Sequence, residues 1–389
     1  MAQIDAAGAH WTAREILQQP QVWAQIEHSL AGDASRLAGF LDPLLERSEL
    51  RMVLTGAGTS AHIGKCLAPV LTRSLRRRVD AIASTDLVAS PPSYLCAGTP
   101  TLLVSFGRSG NSPESIAAVE RADACVRNCW HLIVTCDAEG ALYRHASQAP
   151  HCCAILLPAA SNDRGYAMTS SFTGMLLAAA LALRAVPADG ARSGGLARLA
   201  QQLLADRLSL LQDLVSRGAS RVVYLGSKEF KGLAREAALK MLELTDGQVV
   251  AIADSPLGFR HGPKTILNAD TLVLVFVGND DYARQYDWDL IDELRRDAVA
   301  GRVVALAVRP RPGAHSGVGH HPDDVILATP GESMDTSDLE LCLPYAVFAQ
   351  SLALLRSISL GLQPDSPNAA GTVSRVVTGV PIHAWRGGA

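Results

Sequence analysis

The chain has 389 residues, 48% of them hydrophobic and 19% charged, with a formal net charge of −3. That length suits two domains of ordinary size, and that composition suits buried layers rather than disorder. A balance this close to neutral offers no electrostatic footprint for nucleic acid, and the short basic cluster Arg73 to Arg78 reads as the solvated end of a helix.

No stretch approaches about 18 uncharged apolar residues with membrane-type flanks, so no membrane partner is expected. The nearest candidate, Met175 to Leu183, is far too short and reads as a buried helix. The opening MAQIDAAGAH lacks a basic region ahead of an apolar core, so no signal peptide is expected. Eight cysteines occur without a CxxC pair, which reads as reduced core thiols in a cytoplasmic protein. Cys152 and Cys153 are adjacent and Cys125 and Cys129 sit one helical turn apart, and neither spacing is that of a metal site. His315, His320 and His321 share a Pro/Gly-rich loop, the one place where spacing raises the question of a metal; none is expected.

In chain order, Thr12-Ala-Arg-Glu15 has the pattern of a capping box, followed by apolar positions at helical spacing through Ile16, Leu17, Val22, Ile26 and Leu30. Strands are predicted at Arg51–Thr55, Thr101–Ser105, His131–Thr135 and Ala154–Leu157, with helical stretches between them, which implies parallel strands and crossover helices. The pattern then repeats: the run from Arg221 to Gly226 echoes Arg51 to Gly56, Asp270 to Gly278 echoes Pro100 to Gly107, and Arg302 to Val308 echoes Trp130 to Thr135. The expected organisation is a helical extension (1–48), a first α/β domain (49–196), a helical linker (197–216), a second α/β domain (217–365) and a tail (366–389). The tail carries a β-like run from Val373 to Ile382.

Three loops of the first domain follow strands, where open α/β sheets place ligands. They are Gly56-Ala-Gly58-Thr59-Ser60, the run from Ser105 through Arg108, Ser109 and Ser112, and Tyr166 to Thr173, which opens a helix. Hydroxyls and free amides at helix N-termini suit a phosphate, and Ser112 can cap a helix whose first residue is Pro113. A dinucleotide fingerprint is the rival reading, with Gly56-Ala-Gly58 and Asp80 about twenty residues on. Its third glycine position holds Ala61, however.

The second domain supplies titratable groups. Glu236, Lys240 and Glu243 fall on one face of a helix whose flanks are apolar. A carboxylate held there would have its pKa raised and could serve as a general base. The loop Asp254-Ser-Pro-Leu-Gly-Phe-Arg-His261-Gly-Pro-Lys264 fixes a histidine able to titrate near neutrality.

The runs SFGRSGNSPES, DRGYAMTSS, ALKMLELTDG, DSPLGFRHGPK and GTVSRVVTGVPIHAW resemble the sugar-isomerase (SIS) domains of phosphosugar isomerases, including the isomerase half of glucosamine-6-phosphate synthase. They are most similar to a bacterial branch, the galactosamine-6-phosphate deaminase/isomerases, also labelled tagatose-6-phosphate ketose/aldose isomerases. The resemblance runs from about Trp11 to Trp385. It implies two SIS domains, each a parallel sheet flanked by helices in a flavodoxin-like three-layer sandwich.

It also implies a set of roles. Thr59, Ser60, Arg108, Ser109 and Ser112, with Gly58 and Ser105, would hold phosphate, and Thr169 would lie near the sugar. Glu243 would move a proton between C1 and C2, with Glu236 and Lys240 orienting it. His261 would assist ring opening from the neighbouring subunit of a homodimer. Where the synthase has a Schiff-base lysine in its tail, this chain offers Arg375 and His383 as substrate-binding residues, and an arginine is a poor amine nucleophile. Residue 2 is Ala rather than the cysteine of a glutaminase segment. Both departures favour deamination of an amino-sugar 6-phosphate without a cofactor. A plain isomerase and a non-catalytic sugar-phosphate sensor are the alternatives.

Overall fold

Short aliphatic and β-branched runs become strands wherever a glycine turn releases the chain into a helix, and they assemble into two five-stranded parallel sheets. The computed structural model describes residues 5–187, 192–311, 321–327, 336–377 and 379–385. The chain opens with helices α1 (His10–Leu17), α2 (Gln19–Gly32) and α3 (Ala34–Leu45).

The first sheet follows, with β1 (Arg51–Thr55), α4 (Thr59–Leu75), β2 (Val79–Ala81), α5 (Ser84–Ala89), α6 (Pro91–Tyr94), β3 (Thr101–Gly107), α7 (Pro113–Cys125), β4 (Cys129–Thr135), α8 (Ala141–Gln148) and β5 (Cys152–Leu156). Its order is β2-β1-β3-β4-β5, so the chain reverses direction across the sheet between β1 and β3. Helix α9 (Ser170–Ala182) is apolar almost all round and correspondingly buried.

Helices α10 (Arg192–Ala205) and α11 (Leu208–Ser216) lead to β6 (Arg221–Gly226), α12 (Glu229–Leu244), β7 (Val250–Asp254), α13 (Pro256–Phe259), β8 (Thr271–Phe276), α14 (Ala283–Asp297), β9 (Arg302–Ala307), β10 (Val325–Ile326) and α15 (Asp338–Ser359). The second sheet runs β7-β6-β8-β9-β10, the order of the first. Each sheet has its own core: Val53, Leu103, Ile133 and Ala118 in one, Val223, Val273, Phe259 and Ile291 in the other.

The two compact units are discontinuous along the chain. One gathers Gln21–Arg164, Met168–Ser193 and Ala370–Ala389 around the first sheet; the other gathers Met1–Pro20, Gly165–Ala167 and Gly194–Ala369 around the second.

Several local expectations are corrected. Thr12 and Glu15 form no capping box, because α1 starts at His10 and both side chains are taken by distant backbone and carboxylate groups. Thr12 Oγ1 donates to Asp365 (2.7 Å), and Glu15 accepts from the Gly165 N–H (3.1 Å). Cys125 and Cys129 share no helix, since the first ends α7 and the second begins β4. No described residue of the Val373–Ile382 run is a strand, as no sheet edge pairs with it. The nearest membrane-length stretch is α15 rather than Met175–Leu183. Helix α15 is long and apolar enough to cross a membrane, yet 83% of its apolar window is buried, and Tyr345 stacks on Phe230 and Phe276. His315 and His320 lie outside the described residues, and His321 pairs locally with Asp323.

Candidate active site

In the first-sheet unit, the end of β1 turns sharply into α4 through two glycines. A side chain at Gly56 would put its Cβ 2.6 Å from the Cβ of Ser60, so only glycine lets the strand turn this tightly into α4. Gly58 follows with φ +54°, a conformation other residues adopt at a cost, and Thr59 and Ser60 are buried in the first turn of the helix. Thr55 and Ser105 are register partners on β1 and β3. Both hydroxyls are buried, and neither has a hydrogen-bond partner among the described residues. Such groups are rare in folded proteins, and these stand at the crossover point where α/β sheets bind ligands. Thr55 escaped the sequence reading, although it ends a predicted strand.

Arg108 is buried after β3, with Nη2 donating to the Arg375 carbonyl (3.1 Å). Ser109 Oγ accepts from the Asn111 N–H (3.3 Å). Ser112 caps α7 as expected, accepting from the Ser115 N–H (3.3 Å) with Pro113 in the first turn.

The third loop differs from expectation. Buried Asp163 accepts from the backbone N–H groups of Thr169 (2.8 Å), Ser170 (3.0 Å) and Ser171 (2.9 Å), and from the Thr169 and Ser171 hydroxyls. An internal carboxylate thus takes the positive end of α9 that an external phosphate would use. Sequence offered no signal for this, because Asp163 sits among loop residues in DRGYAMTSS. The tail docks on this unit largely through backbone: Arg375 also donates to the Asp163 carbonyl, and the His383 carbonyl accepts from Arg121 (3.0 Å). The dinucleotide reading loses its acidic residue, since Asp80 accepts from Arg51 (2.8 Å) and Arg78 (2.7 Å).

In the second-sheet unit, α12 carries its three charges on one face, as the spacing requires. Lys240 is buried, with Nζ 3.5 Å from Glu236 Oε1 and in hydrogen-bond contact with Glu243 Oε2. Burial works against the lysine's charge, but the two carboxylates outweigh it and hold the ammonium above its ordinary value. Glu243 is therefore a partly exposed carboxylate anchored on a buried cation, more open to solvent than the apolar flanks suggested. Tyr166 belongs to the same unit, and burial followed by the Glu243 charge pushes its phenol up.

His261 is exposed, and among the described residues its ring has no hydrogen-bond partner. Its loop is firmly held: Ser255 caps α13, and Arg260 and Lys264 both reach Glu293 of α14.

Residues 44–185 match the SIS domain family. An AgaS protein of Streptomyces coelicolor is 48% identical over 383 residues, covering 98% of this chain and 97% of the relative. The D-galactosamine-6-phosphate deaminase AgaS of Escherichia coli is 43% identical over 386 residues, with 98% and 97% covered. This chain belongs to the AgaS family. The crystal structure of tagatose-6-phosphate ketose/aldose isomerase from Escherichia coli superposes on this AgaS-family chain with a TM-score of 0.87 at 41% identity, covering 97% of each. Both sheets of the AgaS-family chain thus have a full-length counterpart among solved structures.

Proposed function

We propose that the chain is a D-galactosamine-6-phosphate deaminase, releasing ammonia and tagatose 6-phosphate. The observation that carries this reading is the 43% identity to the Escherichia coli deaminase over nearly the whole of both chains. The buried, partnerless hydroxyls of Thr55 and Ser105 support it, because they ask for a polar ligand at the end of the first sheet. So does a carboxylate on a buried lysine, a group that can take and return a proton.

In this assignment Gly58, Thr59, Ser60, Ser105, Arg108, Ser109 and Ser112 serve the 6-phosphate, and Thr169 serves the sugar with its hydroxyl already oriented by Asp163. Arg375 holds Arg108 through its carbonyl, and His383 fixes the tail. His261 moves protons between the ring oxygen and O1 as the pyranose opens. Its exposure on a pinned loop suits delivery to a second copy in a homodimer.

Glu243 removes the C2 proton from the open-chain amino aldose while O1 takes a proton from solvent, leaving an enol-amine. It then protonates C1, and the nitrogen gives up a proton, so the product is a C2 imine bearing a hydroxymethyl group. Water adds to the imine carbon, the C–N bond breaks, and ammonia leaves a C2 ketone. Lys240 and Glu236 position Glu243. Eight free thiols suit the reducing cytoplasm, where sugar phosphates are held.

The test is ammonia release from purified protein given galactosamine 6-phosphate, with glucosamine 6-phosphate in parallel. Ammonia in step with ketose phosphate supports the reading, and the rate ratio names the epimer. Interconversion of nitrogen-free aldose and ketose phosphates with no ammonia from either amino sugar would favour the plain isomerase, the activity in the name of the similar Escherichia coli structure.

A further inference from the structure

The loop that carries His261 is fixed at both ends and loose in the middle. Before the histidine, Phe259 is fully buried in the core of the second sheet, and the Ser255 hydroxyl accepts from the Gly258 N–H (3.1 Å). After it, a short helical turn over Pro263–Ile266 is closed by the Thr265 N–H donating to the Gly262 carbonyl (3.0 Å), and Ile266 and Leu267 pack on the same core. Between these anchors sits Gly262, with φ +121° and no described atom within 4 Å of where a Cβ would stand. That conformation belongs to glycine, the residue that also has the most freedom to leave it. The hinge is thus next to His261, whose side chain is exposed.

One carboxylate spans the hinge. Glu293, on α14, accepts from Arg260 Nε through Oε2 (2.8 Å) and from Lys264 Nζ through Oε1 (2.5 Å). Arg260 precedes His261 directly and Lys264 lies beyond Gly262, so the two oxygens join the segments on either side of the hinge. Lys264 also reaches Asp297 Oδ2 one turn along α14 (2.5 Å), but that contact touches one side only. Hydrogen bonds from Lys264, then Arg260, hold the Glu293 carboxyl below its ordinary 4.5, so the clasp stays ionised at neutral pH. All three side chains are about a quarter exposed, and ion pairs in that setting contribute little to stability. Closed across a glycine hinge, this one bears instead on where the histidine stands.

We propose that Glu293 is a positioning residue for the reaction and acts through His261, its two oxygens holding Arg260 and Lys264 at a fixed separation so that the imidazole stays in place between them. The inference rests on the proton-moving role given to His261 above, and Glu293 itself touches no substrate. The gain is one of orientation. A proton carrier works only within hydrogen-bond reach of the atoms it serves, and a histidine on a free hinge is mostly out of reach. Asp297, bound to the same lysine on one side of the hinge, has no such role.

Full-length parent, Glu293→Gln and Asp297→Asn are compared in two ways. Amide exchange by mass spectrometry reads the hinge without reference to activity. Glu293→Gln, which keeps one acceptor oxygen of two, should speed exchange at the His261 and Thr265 N–H groups about tenfold, and Asp297→Asn less than about twofold. Ammonia release from galactosamine 6-phosphate reads the consequence. Glu293→Gln should lower kcat about tenfold, with KM within about twofold and Tm within about 3 °C. Arg260→Lys, which keeps the charge, should retain more of the rate than Arg260→Ala. In a His261→Asn background, adding Glu293→Gln should cost less than about twofold, since the group it positions is gone. Exchange unchanged in Glu293→Gln, or equal in the two single variants, overturns the clasp. An unchanged kcat, or a tenfold loss that persists beside His261→Asn, overturns the role in the reaction. A parent that releases no ammonia defeats the functional reading and that role with it, while exchange still decides the clasp.

Discussion

After the first strand of one sheet, Gly56-Ala-Gly58 leads into Thr59 and Ser60; after the first strand of the other, Gly226-Ser-Lys228 leads into Glu229 and Phe230. The backbones are nearly superimposable in kind. A Cβ at either leading glycine would stand 2.6 Å from the Cβ four residues on, and Gly58 (φ +54°, ψ −125°) matches Lys228 (φ +53°, ψ −121°). The chemistry diverges. The first turn is lined by hydroxyls and followed by buried Arg108, whereas the second holds buried Glu229 and Asp287, with Lys228 tied to Asp338 (2.9 Å) and Asp280 (3.3 Å). One fold element, used twice, is lined by hydroxyls in the first sheet and by carboxylates in the second. Repeated topology therefore does not imply repeated function.

The sharpest way to test that division is to separate proton transfer from anion binding. Glu243→Gln should lower kcat about 1,000-fold and leave KM within a few-fold, since only the proton carrier is lost. Full activity in a folded variant would remove Glu243 from the mechanism. Thr59→Glu gives the first turn the carboxylate that the second has at Glu229. It should cut kcat/KM about 100-fold, mostly through KM, because a negative charge then faces the phosphate. An unchanged KM would mean that the phosphate is held elsewhere.

Stability measurements probe the acidic half. Burial, opposed by the Ser227 hydroxyl and the Gly278 N–H, pushes the Asp287 carboxyl up to about 6 from its ordinary 3.8. A carboxyl raised on folding contributes stability below its unfolded pKa and loses it as pH rises through the folded value, roughly 3 kcal/mol in all. Asp287→Asn should flatten the Tm profile between pH 4 and 6 relative to the parent; parallel profiles would show that the buried charge is not felt. The smallest effect is expected at the shared turn. Gly58→Ala should cost about 1–3 kcal/mol by denaturant titration, since alanine must then adopt the positive φ that Lys228 already tolerates. A neutral result would show that this backbone relaxes freely.

Much of this was legible in the residues. The strand runs at Arg51, Thr101, Arg221 and Thr271 declared themselves because parallel strands covered on both faces are continuously apolar. Ser112-Pro113 marked a helix start, and Glu236, Lys240 and Glu243 fell on one face, because caps and helical periodicity are local properties. The short outer strands β2, β7 and β10 were not legible, since edge pairing needs few apolar residues and is chosen by the neighbour.

The sequence by itself determined the central strands, the helices that follow them, their repetition and the family, because these follow from hydrophobic period, turn chemistry and motifs within one stretch of chain. Only the tertiary structure decided what the polar groups bind. Thr12 turns to Asp365 rather than to its own helix, Asp163 seals the helix that Thr169 opens, and strand register sets His131 beside Cys152. A buried polar group pairs with whatever the folded chain brings within hydrogen-bond reach, and distance along the sequence carries no information about that partner.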